Sequence, residues 1–330
     1  TFFYLLAPYV GMTPKTNLLL TLVMSHTADL YWRRAWLVLL KALPMLQRVV
    51  FLGDEATTAE LREEIEKTPQ LGFLPVARHH ERMDLVVADS RWVEENWDEA
   101  KSVFSRAIRL RIPVVSQARF YESLTGKISP EDAGHPAWML EHVFPRSRSL
   151  YLSFKRATDA MLAALLLVLL SPVMLIIATA IRLCDRSSAL YSQRRLGFLG
   201  REFRVWKFRT MVETADQAGA FSGRLSADPR VTNLGSFLRR FRLDELPQLW
   251  NVVIGDMSLV GPRPEWIQEV EIIERVLPHY HIRHLVRPGI TGWAQVYFRA
   301  TNNAGDSMEK LRYDLYYVKN ISAALDLSIL

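Results

Sequence analysis

The chain has 330 residues, a formal net charge of +6 and a pI near 9.4, with 49% hydrophobic and 23% charged residues. Such a length permits two domains with cores of their own, and such a composition excludes a disordered chain. The excess of cations points to an anionic partner, but no nucleic-acid-binding motif accompanies the basic clusters, and the single cysteine, Cys184, excludes an internal disulfide framework.

Residues 1–45 are apolar and aromatic, with greasy runs at 2–6 and 18–24 and an end at Trp32-Arg33-Arg34. Tryptophan followed by paired arginines is what the cytoplasmic end of a spanning helix looks like, so the segment is read as the remnant of N-terminal membrane helices, although a buried amphipathic helix of a soluble domain reads much the same. Because Thr1 lies inside an apolar run, this is taken as part of a longer sequence and not as a signal peptide.

From 46 to 118, strands are expected at 48–54, 73–77, 84–89 and 113–116, with helices at 59–67 and 92–110. Alternating strands and helices predict a small parallel α/β sheet. Gly53 stands alone after the first strand, where a dinucleotide fingerprint needs three glycines, so the module reads as structural or regulatory. Gly126, Pro130, Gly134, Pro136 and Pro145 mark residues 119–150 as a connector.

Ala160 to Ile181 is a run of 22 residues without a charge. A straight helix of that length reaches about 33 Å, enough to cross a bilayer. Ser171-Pro172 sits in its middle, and an interior proline costs a helix about 3 kcal/mol. Lys155 and Arg156 precede the run, and Arg182, Arg186, Arg194 and Arg195 follow it. The positive-inside tendency puts both flanks in the cytoplasm. A re-entrant helix over 157–183, turning back at Ser171 and Pro172, satisfies length and flanks together. A kinked full span satisfies only the first, and a buried soluble core helix is the third reading.

Four clusters of cations and turn residues follow. Lys207 and Arg209 would share one face of a strand across Trp206-Lys207-Phe208-Arg209-Thr210-Met211. Arg239-Arg240-Phe241-Arg242-Leu243-Asp244-Glu245-Leu246-Pro247-Gln248-Leu249 sets a carboxylate pair directly after arginines. Pro247 is tolerable there if Asp244 caps a helix. Arg263 lies between Pro262 and Pro264, a rigid mount for a phosphate ligand, and Arg287 opens the turn Arg287-Pro288-Gly289-Ile290-Thr291-Gly292-Trp293. Taken alone, Asp244-Glu245 also reads as a solvated, salt-bridged helix start. His279, His281 and His284 have no common zinc spacing.

From about Phe154 to Leu330 the chain resembles the bacterial sugar transferase family, the monotopic phosphoglycosyl transferases. The resemblance rests on Ser171-Pro172, on Lys207–Met211 and on Leu243–Leu249. It continues through Gly255-Asp256-Met257-Ser258-Leu259-Val260-Gly261-Pro262-Arg263-Pro264 and Arg287–Val296, and closes with Tyr313-Asp314-Leu315-Tyr316-Tyr317. Residues 1–150 are similar, by pattern only, to the N-terminal part of the large family members. The implied fold is an α/β membrane protein: a Rossmann-like parallel module at 46–118, then a mostly helical monotopic catalytic domain at 151–330 with a re-entrant helix.

The resemblance implies transfer of a sugar 1-phosphate from a nucleotide diphosphosugar, with uridine expected, to polyprenyl phosphate. This is the first membrane step of exopolysaccharide, capsule or O-antigen assembly. Asp244 would be the nucleophile of a covalent phosphosugar intermediate and a ligand of Mg²⁺, and Glu245 a proton handler or second-step helper. Lys207, Arg209, Arg239, Gln248, Arg263 and Arg287 are the expected phosphate-binding residues. The setting implied is the cytoplasmic face of the bacterial inner membrane, among membrane lipids, with homodimerisation left open. Glucose or galactose is weakly preferred over N-acetylated sugars. Phe241-Arg242 departs from relatives that carry small hydroxyl residues there, and the end at Leu330 comes earlier than expected. A non-enzymatic scaffold for acidic lipids is the alternative; it needs the cations but not the adjacent carboxylates.

Overall fold

The computed structural model of the protein describes residues 21–22, 24–32, 34–35, 46–128, 148–185, 187–212, 230–277, 279–298 and 304–330. Residues 21–22, 24–32 and 34–35 are helical. The rest of the expected N-terminal membrane region, residues 129–147 of the expected connector, and Arg186 lie outside the described residues. The chain divides into two compact units, Thr1–Thr125 and Gly126–Leu330.

The first unit is built on a parallel four-stranded sheet of order β2-β1-β3-β4, with β1 Gln47–Leu52, β2 Phe73–Val76, β3 Leu85–Ala88 and β4 Val114–Ser116. Side chains of a strand alternate between faces, and here both faces are covered. Val49, Phe51, Leu85 and Val87 pack against α1 (Glu55–Lys67) and α4 (Gln117–Thr125). Val50, Leu52, Val86 and Ala88 pack against α2 (Ser90–Glu95) and α3 (Trp97–Leu110). The single helix expected at 92–110 is therefore two, divided at Asn96. At the end of β1, Arg78 donates to Gly53 O at 2.6 Å and lies over the Trp92 ring.

The connector expected from residue 119 does not begin there. Residues 119–125 belong to α4, whose Phe120 and Tyr121 are buried in the module core. The turn signals that suggested a connector start only at Gly126, which takes a left-handed φ of 67°.

The second unit opens with Gly126–Ile128, whose Ile128 is fully buried in the unit's main core. Its longest element is α5, Arg148–Cys184, a 37-residue helix that runs through Pro172. The Val168 carbonyl would have accepted the N–H that proline lacks; Ser171 Oγ donates to it instead, at 2.7 Å. The Ser-Pro pair thus bends the hydrogen bonding without interrupting the helix, which also starts earlier than the expected 157. Among the described residues α5 is the one helix long and apolar enough to cross a membrane, and 11% of its apolar window is buried in the protein. The core helix of a soluble protein would be mostly covered. Apolar residues on both sides of Pro172 pack on the same unit: Ala163 and Leu170 near Val252 and Met257, and Ile177 and Ile181 near Phe208 and Leu238.

After α5 come an antiparallel hairpin, β5 (Leu190–Leu196) and β6 (Glu202–Phe208), then α6 (Asn233–Arg240), and α7 (Gln248–Ile254). Strands β7 (Ser258–Val260) and β8 (Gly289–Thr291) pair in parallel, with α8 (Ile267–Val276) and a 3₁₀ turn, Tyr280–Leu285, between them. Gly261, at their crossing, has no room for a side chain: a Cβ would lie 2.3 Å from Arg287 O. Helices α9 (Trp293–Tyr297), α10 (Ala304–Asn320) and α11 (Ala323–Ile329) complete the unit.

Helix α7 is short, and side chains from elsewhere hold it. Asn251, fully buried, accepts from Trp206 N at 3.1 Å and donates to Arg204 O at 2.7 Å, tying α7 to β6. At its C-terminal end Arg156 donates to Val252 O and Val253 O, and Arg287 Nε to Gly255 O. Cations there satisfy orphan carbonyls and oppose the negative end of the helix dipole.

The Ser171 substitute donor is testable. Ser171→Ala should destabilise the protein by about 0.5–1.5 kcal/mol, because Val168 O loses its substitute donor. Ser171→Ala combined with Pro172→Ala restores a backbone N–H and should recover most of that loss in thermal unfolding. Equal stability of wild type and Ser171→Ala would contradict this role.

Candidate active site

Between α6 and α7 the chain turns sharply through a 3₁₀ turn, Leu243–Glu245. Arg242, just before it, adopts a left-handed φ of 54°, a conformation costing a non-glycine residue about 1 kcal/mol. Leu243 and Leu246 point into the cluster around Ile177, Ile181, Phe208 and Leu238. The turn is thereby nailed against the second arm of α5, and Asp244 and Glu245 are set beside the cations of β6. Asp244 does not cap a helix: α7 starts at Gln248, and Pro247 occupies its N-cap position without a side-chain cap bond.

Glu245 is the centre of the arrangement. Its Oε1 accepts from Lys207 Nζ at 3.1 Å and from Arg263 Nη2 at 2.9 Å. Burial disfavours its charge, but Arg263 and Lys207 outweigh that and hold the carboxyl down at about 2. Asp244, half-buried, is pushed up by burial, against the pull of Lys207 and Arg239. Lys207 is lowered by burial and by its neighbour Arg263, against the pull of Glu245. Two cations share one carboxylate, next to a second carboxylate whose charge is under-compensated.

Other expected site residues fall in different places. Arg239 Nε donates to Thr210 Oγ1 at 2.8 Å, near enough for its charge to act on Asp244. Gln248 is buried as the first residue of α7. Arg209 lies just past the end of β6, its backbone N–H donating to Ala189 O at 2.9 Å. Arg287 is not brought to the dyad. It clamps the far end of α7 through Gly255 O and lies over the Phe198 ring. Its guanidinium is turned to the helix end because Gly255 O is an orphan carbonyl at the negative pole of α7.

Sequence reasoning gave no role to the buried charges behind the Pro262-Arg263-Pro264 turn. Arg283, 1% exposed, donates to Arg263 O at 2.8 Å and lies 2.7 Å from Asp314 Oδ2. Glu265 pairs with Lys310 and, at 3.6 Å, with Arg283. Asp314 stood inside the quoted Tyr313–Tyr317 motif, but nothing in the sequence pairs it with an arginine 31 positions away. His284 is buried, and burial and Arg283 lower its imidazole to about 3.

The family model described as "Bacterial sugar transferase" matches residues 150–330. The chain belongs to the bacterial sugar transferase family. It is 39% identical over 248 residues to the UDP-N-acetylgalactosamine-undecaprenyl-phosphate N-acetylgalactosaminephosphotransferase of Aeromonas hydrophila, covering 75% of this chain and 57% of that protein. It is 33% identical over 315 residues to the UDP-glucose:undecaprenyl-phosphate glucose-1-phosphate transferase of Xanthomonas campestris pv. campestris, covering 86% of this chain and 65% of that one. A third relative, exopolysaccharide production protein PSS of Rhizobium leguminosarum bv. phaseoli, is 37% identical over 184 residues, covering 54% of this chain and 92% of the relative. The chain thus spans less than two thirds of the first two relatives, whereas the third consists almost wholly of the matched region.

The shared carboxylate yields a stability prediction. In Glu245→Gln, Lys207 and Arg263 face each other without their common counter-charge. Because both cations are about a quarter exposed, the expected loss is about 1–3 kcal/mol, below that of a fully buried pair. Denaturant unfolding of the detergent-solubilised protein measures it, and an unchanged midpoint would contradict the sharing.

Proposed function

We propose that this sugar transferase moves a sugar 1-phosphate from a UDP-sugar to undecaprenyl phosphate through a covalent intermediate on Asp244. The observation that carries the reading is the convergence of Lys207 and Arg263 on Glu245, immediately beside Asp244, on a turn seated against an apolar helix. An aspartate needs no base to become a nucleophile. Its obstacle is repulsion from the diphosphate, about 4 kcal/mol per like-charge pair at 4 Å and an effective dielectric near 20. Lys207, Arg239 and Arg263 oppose that repulsion and stabilise charge on the leaving phosphate.

In the first step an Asp244 oxygen bonds to the sugar-side phosphorus, and the bond from that phosphorus to the bridging oxygen breaks. The electron pair leaves on UMP. In the second step an oxygen of undecaprenyl phosphate attacks the same phosphorus, freeing the Asp244 carboxylate and giving undecaprenyl diphosphosugar. Glu245 keeps Lys207 and Arg263 aimed at the reacting phosphates through both steps.

The donor set suits Mg²⁺, which binds through one or two carboxylates together with substrate phosphates. Asp244 would hold it, since Glu245 is taken by its two cations; when bound, the ion neutralises diphosphate charge. Among the described residues there is no group of three or more His, Cys, Asp or Glu side chains able to hold a metal without substrate.

The acceptor is a lipid, so the dyad must sit at a membrane surface. The long apolar helix supports an inner-membrane anchor, and its cationic flanks, with residues on both sides of Pro172 packed on the same unit, support a re-entrant course with the catalytic unit on the cytoplasmic face. Phe237 and Phe241 on one side of the dyad turn and Trp250 and Ile254 on the other are exposed, as residues meeting an interface would be. Relatives named for glucose and for N-acetylgalactosamine leave the sugar open. A pathway role in exopolysaccharide assembly is supported by the name of the third relative.

The reaction is tested by incubation with UDP-sugar and Mg²⁺ without lipid acceptor. About one UMP per active site should be released, and a peptide covering 243–249 should gain the mass of a phosphosugar. Asp244→Asn should abolish both, and Arg263→Lys should lower turnover by about 10²-fold through loss of the planar fork. Absence of burst and adduct under saturating donor would overturn the covalent route. For the topology, cysteines introduced near Lys155 and Arg194 should be labelled from the same side of the membrane. Labelling from opposite sides would establish a full span.

A further inference from the structure

We propose that Arg283 is a positioning residue that acts through the main chain of Arg263, holding the Pro262-Arg263-Pro264 turn so that the Arg263 guanidinium reaches the dyad. This rests on the reading of Arg263 as a cation of the site.

Pro262 and Pro264 stiffen the turn but remove two backbone donors from it, so the turn cannot be fixed by its own N–H groups. It is fixed through its carbonyls. Pro262 O accepts from Gly289 N at 2.9 Å, Arg263 O from Arg283 at 2.8 Å, Pro264 O from Arg195 at 3.3 Å, and Glu265 O from Leu196 N at 3.2 Å. Arg283 is the donor that holds the carbonyl of the functional residue itself. It is also almost completely buried, on the 3₁₀ turn that precedes β8.

A buried guanidinium is costly unless opposite charge and acceptors meet it, and both of the terminal nitrogens of Arg283 are met. Asp314 on α10, 2% exposed in its side chain, lies 2.7 Å from Arg283 Nη2, and Tyr280 OH and Glu265 meet Nη1. Glu265 belongs to the turn as well, and Lys310 of α10 holds it. Helix α10 thus grips the turn twice, through Asp314 with Arg283 and through Lys310 with Glu265. From there the line runs to Arg263 and on to Glu245 at 2.9 Å. Displacements of about 1 Å in a charged side chain can cost a reaction about 10²-fold.

Nη2 of Arg283 meets both Asp314 and the Arg263 carbonyl while Nη1 meets Tyr280 and Glu265; a lysine at 283 keeps the charge but has one nitrogen and cannot stay at both places at once. Arg283→Lys should therefore lower kcat for UMP release with undecaprenyl phosphate by about 10- to 100-fold, with the donor KM within about threefold. If Arg283 acts through Arg263, the double variant Arg263→Gln/Arg283→Lys should be no slower than Arg263→Gln alone. A residue that merely supports the fold would give multiplying losses, and multiplying losses would overturn the proposal. So would wild-type kcat in Arg283→Lys. If Arg283→Lys does not fold, the same cycle is run with Asp314→Asn, which keeps shape and removes the charge. Ile329→Ala, which removes buried side-chain volume on α11, controls for lowered stability alone. Full activity of Arg263→Gln by itself would remove the underlying reading of Arg263, a failure distinguishable from additivity in the cycle.

Discussion

One carboxylate oxygen sets the electrostatics of the catalytic unit. Lys207 and Arg263 come from distant parts of the chain, and each disfavours the charge of the other. They are held together because both reach Oε1 of Glu245. In a half-buried setting such a contact is worth more than a surface ion pair, and the cations it gathers are useful only if they cannot drift. The surrounding structure works to that end. Leu243 and Leu246 seat the dyad turn on α5, Asn251 locks α7 to β6, Arg156 and Arg287 hold the far end of α7, and four carbonyl contacts fix the turn that carries Arg263.

The same arrangement separates the duties of two adjacent carboxylates. Glu245 is engaged by its cations and held strongly acidic. Among the described residues no ion pair engages Asp244, and burial raises it. In the proposed reaction, environment alone would thus make adjacent groups of one chemical type an organiser and a reactant. The left-handed Arg242 is part of how the backbone achieves this, since the reversal there turns the two leucines inward and the dyad toward β6.

Much of the first unit was legible in the sequence, because strands buried on both faces read as continuous apolar runs and Gly/Pro turns bound them. The border at residue 118 was misplaced because α4 carries no breaker until Gly126, and only tertiary packing of Phe120 and Tyr121 shows where it belongs. In the site, Asp244, Glu245, Lys207 and Arg263 could be picked out as carboxylates and cations among turn residues. The contact of Arg287 with the end of α7 could not be read there, because a cation beside Pro-Gly does not announce a helix end. Arg283 and Asp314 were illegible for the complementary reason. Their partnership is between a 3₁₀ turn and a helix, and a lone buried charge in either has no periodic signature. Pro172 stands out in the sequence, but that the hydroxyl one residue earlier takes over the missing donor is visible only in three dimensions.

The stereochemical course at phosphorus tests the central claim most directly. A UDP-sugar made chiral at the sugar-side phosphorus by a single sulfur substitution would be turned over with undecaprenyl phosphate, and the configuration of the lipid product determined. Each in-line displacement inverts phosphorus. Attack by Asp244 followed by attack by the lipid predicts net retention. Net inversion would mean a single direct transfer, with Asp244 serving only as a ligand or an orienting charge, and would contradict the covalent role assigned to it.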